Sequence, residues 1–137
     1  MRALALDIGA ARVGIAVSDP SGRMASPLAV LPAREVFDNA RSFRMLLEDW
    51  DPDVLVFGLP KTLSGEEGPQ AKEVRAHAER IAQASGIEHC FVDERLSSTE
   101  AKRILHEEGL NEKKMKGKVD MIAASLFLQT WLDARQS

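Results

Sequence analysis

Short apolar runs open the chain. Ala3 to Ile8 is nearly all apolar and stops at Gly9, and Val13 to Val17 repeats the pattern after a Gly-bearing turn. Both are too short for helices and read as two strands of a hairpin. A third extended piece runs from Met24 to Leu31, with Pro27 and Pro32 favouring a position near a sheet edge. The period then changes. Val36, Ala40, Phe43, Leu47 and Trp50 recur at helical spacing, predicting one amphipathic helix that stops before Pro52. Asp53 to Gly58 reads as a buried strand that opens into a Gly/Pro/Ser loop reaching Pro69. Ala71, Val74, Ala78 and Ile81 predict the next helix, closed by Gly86. Ile87 to Val92 is another strand, ending at Asp93-Glu94-Arg95. Ser97 with Glu100 is a capping-box pattern for a short helix through Leu105 to Gly109, and Val119 to Leu132 forms a last helix, apolar on most of its circumference.

Strand–helix–strand repeats imply parallel pairing with right-handed crossovers, whereas the opening hairpin is antiparallel. The expected architecture is α/β: a mixed five-stranded sheet with helices on both faces. At 137 residues the chain suits a single domain spanning 1–137.

Composition narrows the class. Hydrophobic residues make up 45% and charged residues 28%, an ordinary globular balance that argues against disorder. The one cysteine, Cys90, cannot form an internal disulfide. The N-terminal apolar run meets Asp7 too soon for a signal-peptide core, and no apolar run approaches the ~20 residues that cross a bilayer. A cytoplasmic protein without membrane contact is expected. The net charge of −3 argues against a coat that binds nucleic acid nonspecifically, yet Lys113, Lys114, Lys116 and Lys118 cluster within six positions. That run is either a solvated loop or a phosphate-binding one.

Asp7 is the most informative residue, because an unpaired carboxylate buried in an apolar strand is costly. It either caps a turn or bridges to Arg12, or it belongs to a site. Glu94 follows a strand end, where ligands of open α/β sheets collect. Alternation sends Asp93 and Glu94 to opposite sides, so at most one faces Asp7. Asp120 falls near the first turn of the last helix, where acids are also common for helix-dipole reasons. Three carboxylates suit hard cations with oxygen ligands. His77, His89 and His106 form no ligand pair, which argues against zinc. There is no G-x-S-x-G elbow and no P-loop, which removes the commonest serine-hydrolase and nucleotide-triphosphatase readings.

Asp7-Ile8-Gly9 through Arg12-Val13-Gly14-Ile15-Ala16-Val17-Ser18-Asp19, Gly58-Leu59-Pro60, Gly65 with Gly68-Pro69-Gln70-Ala71, Asp93 through Ala101, and Lys118-Val119-Asp120 with Ala123-Ala124 stand in this order. Together they resemble the bacterial YqgF family, also called Holliday junction resolvase or pre-16S ribosomal RNA nuclease, and they span nearly the whole chain. The resemblance implies a ribonuclease-H-like fold and an acid triad carried onto Asp7, Glu94 and Asp120, with Mg2+ or Mn2+, two ions when substrate is bound. Many nucleases of the wider superfamily have a fourth acid about one turn from the last, where this chain has Ala123 and Ala124. Either Asp93 assists, or the second ion is held through water and substrate phosphate. Arg12, Arg95 and the four lysines are candidates for neighbouring phosphates or partners of nearby acids. Gly58, Pro60 and Gly65 are candidates for a loop whose backbone approaches substrate, or simply for turns.

The expected activity is endonucleolytic hydrolysis of phosphodiesters, with a structured precursor of 16S rRNA favoured over branched DNA as partner, in a monomer or homodimer. The alternatives are a Holliday junction resolvase, a phosphotransferase of the actin-like type and a metal-free RNA- or ribosome-binding module. An actin-like enzyme uses two lobes, and 137 residues supply one.

Overall fold

The computed structural model describes residues 1–95, 97–109 and 118–136, the side chains of 97–99 and 102 excepted. Five strands form one sheet: β1 (Ala3–Ile8), β2 (Arg12–Ser18), β3 (Ala25–Pro32), β4 (Val54–Leu59) and β5 (Glu88–Asp93). Their order is β3-β2-β1-β4-β5. The β1–β2 and β2–β3 pairs are antiparallel, and β1–β4 and β4–β5 are parallel. The expected mixed sheet is present, with β1 at its centre. β3 lies on an edge, as its prolines require, since a proline cannot donate to a neighbouring strand.

The helices are α1 (Ala33–Phe37), α2 (Arg41–Trp50), α3 (Pro69–Ser85), α4 (Ser97–Glu107) and α5 (Lys118–Gln136). Leu4, Leu6 and Ile8 of β1 point to the face covered by α1, α2 and α3, where they join Phe43, Phe57 and Val74. Ala3 and Ala5 point the other way, onto Phe127, Leu128 and Leu132 of α5. Period-two alternation along β1 thereby assigns Asp7 to the α5 face. α4 packs against α5.

One predicted helix is two. The span from Val36 to Trp50 breaks at Asp38–Ala40, where Asn39 takes a left-handed conformation (φ 52°). Asn accepts that conformation more readily than most residues. The break leaves no trace in the hydrophobic period, because Val36 before it and Phe43 after it bury in the same core. Other limits shift slightly: β5 runs one residue later than expected and so includes Asp93. α3 begins at Pro69, whose missing N–H costs nothing at a first helical position, and ends where Gly86 (φ 72°) donates to Ala82 O at 2.8 Å. Glu100 pairs with Arg103 rather than capping backbone, and the side chain of Ser97 lies outside the described residues.

Candidate active site

Three carboxylates meet on the α5 face at the ends of β1 and β5. Asp7 reaches it from the centre of the sheet and is 8% exposed. Glu94 is the first residue after β5, and its backbone N–H donates to Leu59 O at 3.3 Å, which keeps the chain beside β4 for one residue more. Asp120 enters from the first turn of α5. The Asp7 carboxyl donates a hydrogen bond to Glu94, and both feel the charge of Asp120.

The electrostatics follow from burial of like charges. Asp7 is pushed up to about 9, first by burial and then by the charge and hydrogen bond of Glu94, with Asp120 adding to it. Glu94 also rises, chiefly through burial, although the bond from Asp7 opposes this. Burial raises Asp120 as well, against the pull of Arg12, whose Nε lies 3.4 Å from Asp120 Oδ2. At neutral pH Asp7 is therefore the protonated partner of the pair, because crowded carboxylates of low exposure resist ionising together.

Two glycines clear the space. A Cβ on Gly58 would stand 2.5 Å from Glu94 Oε2 and 2.6 Å from Phe127 Cε2. Gly58 lies within β4 and leaves room for the Glu94 side chain, rather than forming part of a substrate-facing loop. Gly14 is paired with Asp7 across the β1–β2 ladder. A Cβ there would collide with the backbone of Asp120, so the bare backbone of β2 is what lets α5 approach. The role of Gly14 was not anticipated, although glycine inside a strand is itself a signal of close backbone approach.

Asp93 turns elsewhere. Its Oδ2 lies 2.6 Å from Arg95 Nη2, and its Oδ1 accepts from the Arg95 backbone at 3.0 Å, so its carboxyl is held below the usual range. Arg95 Nη1 also donates to Leu63 O at 3.4 Å, tying the loop after β4 to this corner. Gly65 (φ 88°) closes a turn in that loop by donating to Thr62 O at 2.8 Å, and Pro60 follows directly on β4. Arg12 serves Asp120. Lys118 is exposed at the start of α5, while Lys113, Lys114 and Lys116 lie outside the described residues.

The division between Asp93 and Glu94 gives a direct test. Glu94→Gln is expected to lose at least tenfold more cleavage than Asp93→Asn, measured as kcat on one substrate. The opposite ranking would remove Glu94 from the site.

Comparison with known proteins identifies the family. The model of the RuvX family, described as Holliday junction resolvase, matches residues 1–134. The chain belongs to the RuvX family. A relative from Anaeromyxobacter sp. (strain Fw109-5), with the name "Putative pre-16S rRNA nuclease", is 41% identical over 137 residues, covering 100% of both chains. One of the same name from Chloroflexus aurantiacus (strain ATCC 29366 / DSM 635 / J-10-fl) is 39% identical over 134 residues, 98% of this chain and 88% of the relative. Among solved structures, Fowlpox virus resolvase in complex with Holliday junction DNA superposes with a TM-score of 0.61 at 11% identity, covering 100% of each chain. Thermus thermophilus RuvC with a Holliday junction substrate gives 0.57 at 14% identity, covering 100% of this chain and 96% of that one. These superpositions establish the ribonuclease-H-like fold for this RuvX-family chain.

Proposed function

We propose that this protein is a divalent-metal-dependent endonuclease that hydrolyses phosphodiesters of structured RNA, with a precursor of 16S rRNA as substrate. The observation that carries the reading is the convergence of Asp7, Glu94 and Asp120 in a space that Gly14 and Gly58 keep clear. Burying three acids together destabilises a fold unless they serve a ligand of opposite charge.

The donor set fits a hard cation, being oxygen throughout. Among the described residues no group of three or more His, Cys, Asp or Glu stands ready-made for a metal ion. Asp7 is hydrogen-bonded to Glu94, and Asp120 is paired with Arg12. Asp7 and Glu94 would hold the ion after Asp7 gives up its proton, joined by Asp120 on release from Arg12. When bound, the ion supplies an activated water and neutralises charge developing on the phosphate. The chain's own contribution is to orient the acids, to keep Asp7 protonated until a cation arrives, and to free Arg12 for a phosphate beside the one cut. Lys118, exposed at the start of α5 two residues before Asp120, is a further candidate for phosphate contact.

The family description as Holliday junction resolvase supports a second reading, cleavage of four-way DNA. Two symmetric cuts need two active sites, hence a two-fold dimer. Digesting a 16S rRNA precursor fragment and a four-way DNA junction side by side, with Mn2+, Mg2+ or EDTA, separates the readings. RNA cut only in the presence of metal supports the first, paired symmetric nicks in DNA favour the second, and no cleavage of either leaves a binding module.

The lysines carry a separate expectation. Replacing Lys114 and Lys116 by Gln should weaken RNA binding and flatten its dependence on log salt by roughly 0.7–0.9 per lost phosphate contact. Cleavage at saturating substrate should stay within about twofold, as for groups that bind substrate and transition state alike. An unchanged slope would assign these lysines to solvent.

A further inference from the structure

A second concavity lies around the end of β1 from the carboxylates. Asp7 faces α5, but the next residue, Ile8, faces the opposite core and borders a cavity of about 310 Å3. Gly9 and Ala10, exposed at the turn after β1, form its rim. Its wall is aromatic: the Phe37 and His77 rings stack with centroids 4.0 Å apart and planes 1° from parallel. Gln70 and Glu73 stand above this wall on α3. Spacings of three and four residues put Gln70, Glu73 and His77 on one face of that helix. Both Gln70 and Glu73 are exposed, and neither makes a side-chain hydrogen bond among the described residues. The carboxylate site uses none of these groups.

Each feature restricts the occupant. The volume is at the lower end for small-ligand pockets. A flat aromatic wall over an apolar floor of Ile8 and Val74 suits a planar ring, as in the stacking platforms that hold single-stranded bases. Glu73 repels a phosphate, so the part of a strand that enters the cavity is a base and the sugar–phosphate backbone stays outside it. A carboxylate accepts hydrogen bonds only, whereas the Gln70 amide both donates and accepts. Guanine matches this pair, since its Watson–Crick edge offers one carbonyl acceptor beside two N–H donors. A base paired in a duplex has that edge already occupied.

We propose that the cavity formed by Phe37, Gln70, Glu73 and His77 receives an unpaired guanine of the substrate strand, around the end of β1 from the Asp7 carboxyl. Because Asp7 and Ile8 are consecutive, a strand crossing the end of β1 passes from one site directly to the other. This subsite rests on the nuclease reading and refines it: the cut then falls in or beside an unpaired, guanine-bearing stretch rather than within a continuous duplex.

The test separates binding from cleavage. GMP, AMP, CMP and UMP are titrated into the full chain in EDTA, while NMR follows the Gln70 side-chain amide, the His77 ring and the Gly9 amide. GMP is expected to shift all three and to bind about tenfold tighter than the other nucleotides, the scale of one good bidentate contact. His77→Ala should lose the binding. Glu73→Gln should retain binding but lose most of the preference for GMP. In cleavage assays, replacing the guanine nearest the cut by an abasic nucleotide should raise KM about tenfold for wild type and leave KM unchanged for His77→Ala. Nucleotides that leave these three signals unmoved, or that bind without preference, overturn the proposal. If GMP binds as expected but no nucleic acid is cleaved, the nuclease reading fails and the base site stands.

Discussion

Asp7→Asn is expected to reduce metal-dependent cleavage by roughly 1000-fold, equivalent to about 4 kcal/mol of lost transition-state stabilisation, while leaving the fold intact. The same substitution should stabilise the metal-free protein at alkaline pH. In the folded chain Asp7 titrates at about 9 instead of 3.8, because burial and the neighbouring Glu94 and Asp120 disfavour its charge. A carboxyl raised on folding contributes stability that is complete below the unfolded value and lost as pH rises through the folded one. The wild-type melting temperature in EDTA should therefore fall between about pH 4 and pH 9. Asparagine keeps the shape and carries no charge at any of these pH values. Its curve should be flatter, with Tm above wild type by roughly 5 °C at pH 9. Saturating Mn2+ should narrow the gap by stabilising wild type more than the variant. Retained cleavage would remove Asp7 from the site, and parallel melting curves would mean that its carboxyl is not under electrostatic strain.

Asp7 is also the candidate-site residue most legible in the sequence. A lone acid between Leu6 and Ile8 breaks an apolar strand, and burial there demands a reason. Glu94 was half legible: alternation after β5 said that only one of two adjacent acids could face Asp7, and the resemblance chose between them. The structure shows the physical basis, since Arg95 holds Asp93 away while Glu94 passes over Gly58. Asp120 had little local signal, because an acid in a first helical turn is ordinary. The mixed sheet, with its antiparallel opening hairpin and later parallel strands, followed from the alternation of short apolar runs and helices, and the strand limits were right to within a residue or two. The division between α1 and α2 did not, because periodicity registers which face is buried and not whether the backbone is continuous. The cavity beside Ile8 had no linear signature either: Phe37 and His77 are separated by forty positions and meet only when α1 and α3 pack on the same face of the sheet.

Gly14→Ala is expected to damage stability and cleavage together. The added methyl would meet the backbone and Cβ of Asp120, and backbone, unlike the end of a flexible side chain, cannot swing aside. Either α5 lifts from β2 or β2 bends, and overpacking of this kind costs about 1–3 kcal/mol. Lifting α5 also carries Asp120 away from Asp7 and Glu94. Because misplacing a catalytic group by about 1 Å can cost 100-fold in rate, kcat should fall by about that factor even where the variant is fully folded. Val13→Ala supplies the comparison. Val13 is buried beside Gly14 but joins the core on the opposite face of the sheet, so its truncation destabilises without touching α5. At a temperature where circular dichroism shows both variants folded, Val13→Ala should cleave within about threefold of wild type, as for a core substitution remote from the chemistry. Equal losses in the two variants would mean that cleavage follows general stability. A folded Gly14→Ala with wild-type kcat would mean that Asp120 does not need the close approach that a bare backbone at position 14 permits.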